Sequence, residues 1–303
     1  KIGVNSIFSN ATKYSPENSA WFKAYLAVPT MPVIDPLNTD ARPTQYSNAQ
    51  NLGYRQSWNP FPDLVYNNNR QKIRKILSSV YFQYEIVPDK LDFKTTYSHN
   101  FTALEERYVS LPFTLGNNNQ TISSITRANN NFSNQYWDNI LTYKDNFGDH
   151  DLTVMAGASY RDEASNTFSA SGRDIQGISL DTSWYLDFAD PESFNNSVSE
   201  IGRRFYGISY FGRINYTFND KYILYGTFRA DGSSKFTLDP WGYFPSVGLG
   251  WVLSEENFLK NNDFIDFLKF RGSWGKLGND NVGASAGSNT VNVITMPFGD
   301  TQY

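Results

Sequence analysis

The sequence contains no cysteine and only two histidines in 303 residues. A disulfide scaffold and thiolate metal sites are therefore excluded. It also lacks any run of about 18 apolar residues, so no segment reads as a transmembrane helix. Acidic side chains outnumber basic ones, 30 to 26, for a net charge of -4, and no basic excess points to nucleic acid. Walker and dinucleotide fingerprints are missing too. Aromatic residues are abundant: 20 Tyr, 23 Phe and 7 Trp make up 17% of the chain. A membrane β-barrel fits such a composition, because its lipid-facing residues alternate with polar ones and leave little hydropathy signal.

Alternation recurs along the chain. Tyr206, Ile208, Tyr210, Gly212, Ile214, Tyr216 and Phe218 fall on one face of a strand. Gly207, Ser209, Arg213, Asn215 and Thr217 fall on the other, with Phe211 as the exception. Ile76, Val80, Phe82, Tyr84 and Ile86 form another apolar set, as do Leu91, Phe93, Tyr97 and Phe101. Further sets are Trp137, Leu141, Tyr143 and Phe147; Leu152 to Tyr160; Tyr222, Leu224 and Phe228; Val247, Leu249, Trp251 and Leu253; and Leu268, Phe270 and Trp274. Turn signals at Pro88-Asp89-Lys90, Gly148-Asp149-His150 and Asn219-Asp220-Lys221 predict tight hairpins.

The other connections are long and rich in Asn, Ser and Pro. They are expected to run roughly over 9–69, 102–130, 162–203 and 231–243. Short and long connections thus alternate, as at the two ends of a transmembrane barrel. Aromatics near strand ends suit interfacial girdles. The fold class predicted is all-β, an antiparallel transmembrane β-barrel segment with short periplasmic turns and long extracellular loops. A soluble sandwich would need the apolar faces to pack together. The start at Lys1 without a signal peptide, and the end at Tyr303 without a closing strand, read as a piece of something longer.

From Arg204 to Asp280 the sequence carries SYFGRINY, DGSSKF, FPSVGLGWVLSEE and LKFRGSWGKLGN in that order. Over these roughly 75 residues it resembles the SusC/RagA family of TonB-dependent outer-membrane transporters. The resemblance implies a barrel of about 22 strands filled by a plug. It also implies a SusD-like surface lipoprotein as lid, the periplasmic protein TonB as drive, and an oligosaccharide or oligopeptide as cargo. The location implied is the outer membrane of a Gram-negative, Bacteroidetes-like cell. On that reading the plug, the TonB-contacting segment and the remaining strands are not represented in residues 1–303. A passive porin-like channel and a soluble carbohydrate-binding protein are the alternatives.

The motifs also have a local reading. Asp231-Gly232 is a turn pair, and the hydroxyls of Ser233 and Ser234 are placed to bond nearby backbone. Gly248 and Gly250 leave room for a close approach of plug or neighbouring strand. Ser254 with Glu255 and Glu256 reads as a helix start, within a short connection of helical character to Phe267.

Enzyme chemistry finds little support. His99 and His150 have no second histidine at ligand spacing. Glu105-Glu106 and Glu255-Glu256 read as solvated pairs rather than acid–base dyads. Asp35 to Asp40 offers oxygen ligands for Ca²⁺ without an EF-hand pattern. No enzyme activity and no cofactor are predicted. Recognition is assigned instead to loop aromatics: Tyr54, Trp58, Phe61, Tyr66, Trp184 and Tyr185, as substrate or lid contacts. Arg213, Asn215, Arg229 and Arg271 are expected to face the lumen, since lipid near the midplane would cost about 2–4 kcal/mol for each arginine.

Overall fold

The structure, a computed structural model, describes residues 1–15, 18–54, 57–176, 184–194, 198–259, 264–283, 297–298 and 301–302. Nine strands form one sheet in sequence order, every neighbouring pair antiparallel. They are β1 (Ile2–Ser15), β2 (Asn67–Val87), β3 (Leu91–Ser110), β4 (Ser124–Phe147), β5 (His150–Arg173), β6 (Val198–Phe218), β7 (Tyr222–Ser233), β8 (Trp241–Val252) and β9 (Lys269–Gly275). Helices α1 (Asn18–Leu26) and α2 (Phe61–Val65) lie between β1 and β2. A small pair, β10 (Pro297–Phe298) and β11 (Thr301–Gln302), is antiparallel.

The register makes the two faces consistent across the sheet. Phe147 pairs with His150, His150 with Phe218, Phe218 with Tyr222, Tyr222 with Trp251 and Trp251 with Phe270. These six rings make one row across β4 to β9 at the short-turn end. His150 and Phe218 have centroids 4.9 Å apart, and the His150 Nδ1 lies 2.7 Å from the Tyr216 hydroxyl. A second row crosses the strands farther up: Tyr97 pairs with Trp137, and Trp137 with Tyr160. Tyr160 stacks beside Tyr206, and Tyr210 beside Trp241.

Trp241 and Trp251 mark the two rows on β8. At about 3.3 Å per residue and a tilt near 40°, their separation gives an apolar band about 25 Å tall. Within it the side chains lack protein cover: Tyr210 is 51% exposed and Leu249 62%. The sandwich reading fails here, because the apolar face of the nine-stranded sheet stays open.

The strands outrun the sequence expectation at the long-loop end. Thr102–Ser110, Ser124–Asn130, Asp162–Arg173 and Val198–Arg203 continue the ladder where loops were expected. β2 to β6 run 20 to 24 residues, against about 9–11 for a bilayer crossing. Above the band both faces meet water or loops, so alternation is no longer imposed while backbone pairing persists.

Two local expectations are also corrected. Asp231 and Gly232 belong to β7, paired with Gly242 and Trp241; a side chain on Gly232 would meet the Trp241 ring. Residues 253–268 hold a 3-10 turn, Leu253–Glu255, capped at Val252, and Ser254 makes no capping bond. Residues 260–263 of that connection lie outside the described set. The tight turns hold as expected, with Asp89, Gly148, Asn219 and Asp220 at positive φ.

Candidate functional site

The polar face of the sheet carries the first candidate region. Arg213, Asn215, Arg229 and Arg271 all lie on it, by register with Thr227, Tyr225, Phe211 and Gly250. Arg213 Nε donates to Asn215 Oδ1 at 3.3 Å. Arg229 Nε donates to the Asp231 carboxylate at 2.7 and 2.8 Å, and its terminal nitrogen donates to Ser209 Oγ at 3.0 Å. Phe211, the exception to the alternation, sits under the Arg229 guanidinium at 5.5 Å. Its ring also fills the space above Gly157. Likewise the Tyr225 ring covers Gly248, so the neighbouring strand takes the room that glycine leaves.

Residues 276–283 run back across this face, from the end of β9 over β8, β7 and β6 to β5. Lys276 N donates to the Pro245 carbonyl at 3.0 Å. Gly278 lies against the Phe244 ring. Asp280 forms an ion pair with Arg161 on β5, and Lys235 Nζ donates to the Asp280 carbonyl at 3.2 Å. The Arg161 guanidinium holds the Asp280 carboxyl below the usual range, partly offset by burial. Below this strap opens a niche of about 460 Å³, lined by Arg161, Ser209, Arg229, Asp231 and Phe244 among others. Ser233 and Ser234 bond backbone as expected: Ser234 Oγ accepts from Tyr206 N at 2.8 Å.

The second region is the layer of loops at the long-loop end. Tyr46, Tyr66, Phe113, Ala41 and Leu115 form a small core between the segment after β1 and the one after β3. Tyr66 is buried, its hydroxyl donating to Thr44 Oγ1 at 2.7 Å, with Phe113 stacked 5.3 Å away. Burial pushes the Tyr46 phenol up. Phe61 stacks on Tyr46 and stays half-exposed, and Tyr54 lies at the surface. Trp58 is partly covered by Lys23, whose Nζ lies 5.8 Å from the ring. Lys23 itself bonds the buried Asp63 carboxylate at 2.7 and 2.8 Å. Asn59 Nδ2 ties Val33 O and Ser47 O together at 3.0 and 3.2 Å.

Trp184 and Tyr185 sit elsewhere, over Arg107 and Arg127 on the face that continues the apolar band. The six loop aromatics are thus split between two places. Sequence reasoning missed the Lys23–Asp63 pair and the Arg161–Asp280 strap, since neither spacing nor motif links residues 40 or 119 positions apart. Asp35 Oδ1 accepts from Leu37 N at 3.0 Å, a local turn. Among the described residues no group of three His, Asp or Glu side chains converges as a metal site.

"TonB-dependent receptor SusC" of Bacteroides thetaiotaomicron is 27% identical over all of this chain, which spans 31% of that protein. "TonB-dependent receptor P39" of Formosa agariphila is 30% identical over 73% of the chain and 21% of its own length. The chain therefore spans a third or less of these relatives. Among solved structures, a chain of the RagAB peptide importer in its open-open state superposes with a TM-score of 0.74 at 17% identity, over 100% of this chain and 33% of that one. That likeness speaks to the fold. The family described as "TonB dependent receptor-like, beta-barrel" matches residues 21–300, and the chain belongs to it.

Proposed function

We propose that this chain forms part of the barrel wall of a TonB-dependent importer of SusC/RagA type in the outer membrane of a Gram-negative cell. The cargo is an oligosaccharide or oligopeptide. The observation that carries this reading is the apolar band bounded by two aromatic rows, with charged and amide side chains on the opposite face. That polar face, with Arg213, Asn215, Arg229 and Arg271, lines the lumen. Its arginines already have protein partners or open water there, whereas lipid would charge about 2–4 kcal/mol for each.

The exposed loop aromatics Tyr54, Phe61 and Tyr185, with Trp58 behind Lys23, present flat apolar surface to a sugar ring, a peptide side chain or a lid lipoprotein. Tyr66 and Trp184 hold the loops that carry them. TonB supplies the drive through the remainder of the protein. The function is capture and gating, with no covalent step assigned to any residue.

The test is uptake of labelled oligosaccharides and oligopeptides by cells carrying the full-length protein, with and without TonB. Uptake that needs TonB and falls in a Phe61→Ala, Tyr54→Ala variant supports the reading. Equal uptake without TonB would place the protein among passive channels. Recovery of the full-length protein in the soluble fraction would overturn the membrane assignment.

A further inference from the structure

The niche under residues 276–283 has no ligand assigned by that function, and its construction narrows what it takes. Its floor is a dip in the polar face. Arg161 pairs in register with Gly207, and Ser159 with Ser209, which pairs in turn with Asp231. Around them the same face carries Tyr136, Phe211 and Phe244. The small side chains at Ser159, Gly207 and Ser209 thus sink the floor below its rim. A Cβ on Gly207 would come within 3.0 Å of Arg161 Nε, so glycine there lets the guanidinium lie close to the sheet. Residues 276–283 close the top, with Gly278 on Phe244 and Asp280 on Arg161. The volume, about 460 Å³, is that of a small-molecule site.

Charge narrows the ligand. Arg229 is held by the Asp231 carboxylate and Arg161 by Asp280, with Glu163 standing 3.8 Å from the Arg161 Nε. Asp239 lies exposed at the rim. Lys235 reaches the Asp280 carbonyl from the loop after β7. Arg161, Arg229 and Lys235 are therefore set against Asp231, Asp239, Asp280 and Glu163. An anionic ligand meets no surplus of positive charge. A cationic one must draw a carboxylate from its arginine or stay at the rim.

A neutral hydroxyl joins such pairs without breaking them. A guanidinium offers five N–H groups and a carboxylate about four acceptor sites. Arg229 uses its Nε and one terminal nitrogen. Its side chain and that of Asp231 are 49% and 32% exposed, so both can be reached. Hydrogen bonds to charged groups are stronger than neutral ones. Phe236 and Phe244 add apolar wall for the C–H face of a sugar.

A peptide finds less to hold. Extended peptides pair their main chain with a free sheet edge. The floor strands β5, β6 and β7 are paired on both sides. A chain terminus would bring a charge that the niche has already balanced.

We propose that this niche is a subsite on the import path for a neutral saccharide unit, held by Arg161, Arg229 and Asp231 and roofed by residues 276–283. This rests on the importer reading above and deepens it to one cargo class at one place on the wall. The test uses the full-length protein purified in detergent, followed by native mass spectrometry and by hydrogen exchange over 276–283. The probes are neutral gluco-, manno-, galacto- and xylo-oligosaccharides, oligogalacturonides, and oligopeptides of both charge signs. Ser209→Leu fills the floor and leaves the Arg229–Asp231 pair in place. Asp231→Asn keeps the shape and leaves Arg229 without its counter-ion. Heat-modifiable migration on gels confirms that each variant is a folded barrel.

The expected result is retention of a neutral oligosaccharide by the wild type, with exchange over 276–283 slowed several-fold. Ser209→Leu should weaken that retention about tenfold. Asp231→Asn should weaken it too and gain oligogalacturonide binding, a change of preference that a purely structural role would not produce. Retention without slower exchange over 276–283 would overturn the inference. So would unchanged affinity in folded Ser209→Leu, or protection of 276–283 by peptides or oligogalacturonides in the wild type. A full-length protein found in the soluble fraction defeats the importer reading itself. One that sits in the membrane and takes up cargo with TonB, but whose strap no neutral oligosaccharide protects, defeats only this inference.

Discussion

Asp280 is ion-paired with Arg161, across the polar face of four strands and 119 positions of sequence. The pair pins residues 276–283 onto the polar face of the sheet. Both side chains are about one-third exposed. Solvent screening therefore leaves the pair worth about 0.5–1 kcal/mol. Asp280→Asn and Arg161→Gln should each loosen the strap without unfolding the barrel. Hydrogen exchange over 276–283 should rise several-fold while β5 to β8 stay protected. The sign of the pH effect follows from the depressed carboxyl. Its contribution is complete above the ordinary value of 3.8 and is lost as pH falls through the lower native value. The strap's protection, relative to the intrinsic exchange rate at each pH, should thus be unchanged from pH 8 to pH 5 and fall only below about pH 4. A strap that opens near neutral pH would mean that another group controls it.

Facing can be tested at two adjacent residues. Ile214 is on the apolar face opposite Val154 and Gly226, and Asn215 is on the polar face opposite Thr153 and Tyr225. Ile214→Arg should cost about 2–4 kcal/mol near the midplane, while Asn215→Arg stays in a polar setting. Yield of heat-modifiable barrel in the outer-membrane fraction should drop in the first and hold in the second. Similar yields from both would refute the assignment of faces.

The loop layer depends on a nearly buried charge pair. Lys23 and Asp63 side chains are 13% and 7% exposed. Asp63→Ala strands the ammonium with only Asn118 Oδ1, at 3.2 Å, and the Trp58 ring. Breaking such a pair costs about 3 kcal/mol. Limited proteolysis should then cut within residues 18–66, and uptake should fall with the barrel intact. Asp63→Asn keeps an acceptor and should recover part of the protection. Asn59→Ala, which takes a donor from the Ser47 carbonyl and leaves the Val33 carbonyl with the Ser47 N–H alone, should cut protection by about 1–3 kcal/mol.

These cases mark where the sequence was legible. Leu91 to Phe101 alternates because one face meets lipid and the other does not, so that part of β3 is written in side chains. Thr102 to Ser110 continues the same ladder, but with water and loops on both sides nothing enforces the period. Ladder hydrogen bonds are backbone matters and leave no trace in TALEERYVS. The loop core was hidden for another reason. Tyr46 and Tyr66 meet Phe113 only after the segments following β1 and β3 fold together, and Asn- and Pro-rich composition suggested irregularity instead. Gly232 shows the opposite error: a turn-like Asp-Gly pair serves in a strand because Trp241 needs the space.

At the short-turn end, three donors converge on one acid. Glu256 accepts from Tyr222 Oη at 2.8 Å, Trp251 Nε1 at 3.0 Å and Lys221 Nζ at 3.4 Å. Two of these belong to the lower aromatic row, so the carboxylate fixes ring orientation where the barrel leaves the hydrocarbon. The donors hold the Glu256 carboxyl below its ordinary value of 4.5, the Trp251 and Tyr222 bonds foremost. A lowered carboxyl stabilises above its ordinary value, and the effect fades as pH falls through the native one. Glu256→Gln keeps an acceptor for the rings but loses the charge facing Lys221; Glu256→Ala loses all three bonds. Trp251 emission, isolated as a difference spectrum against Trp251→Phe, should shift to the red in Glu256→Ala and little in Glu256→Gln. In the wild type, protonation below about pH 4.5 leaves a neutral acceptor like that of Glu256→Gln, so emission should move little there, far less than in Glu256→Ala. If emission is unchanged in Glu256→Ala, the ring is held by the membrane interface alone, and the acid has no part in setting it.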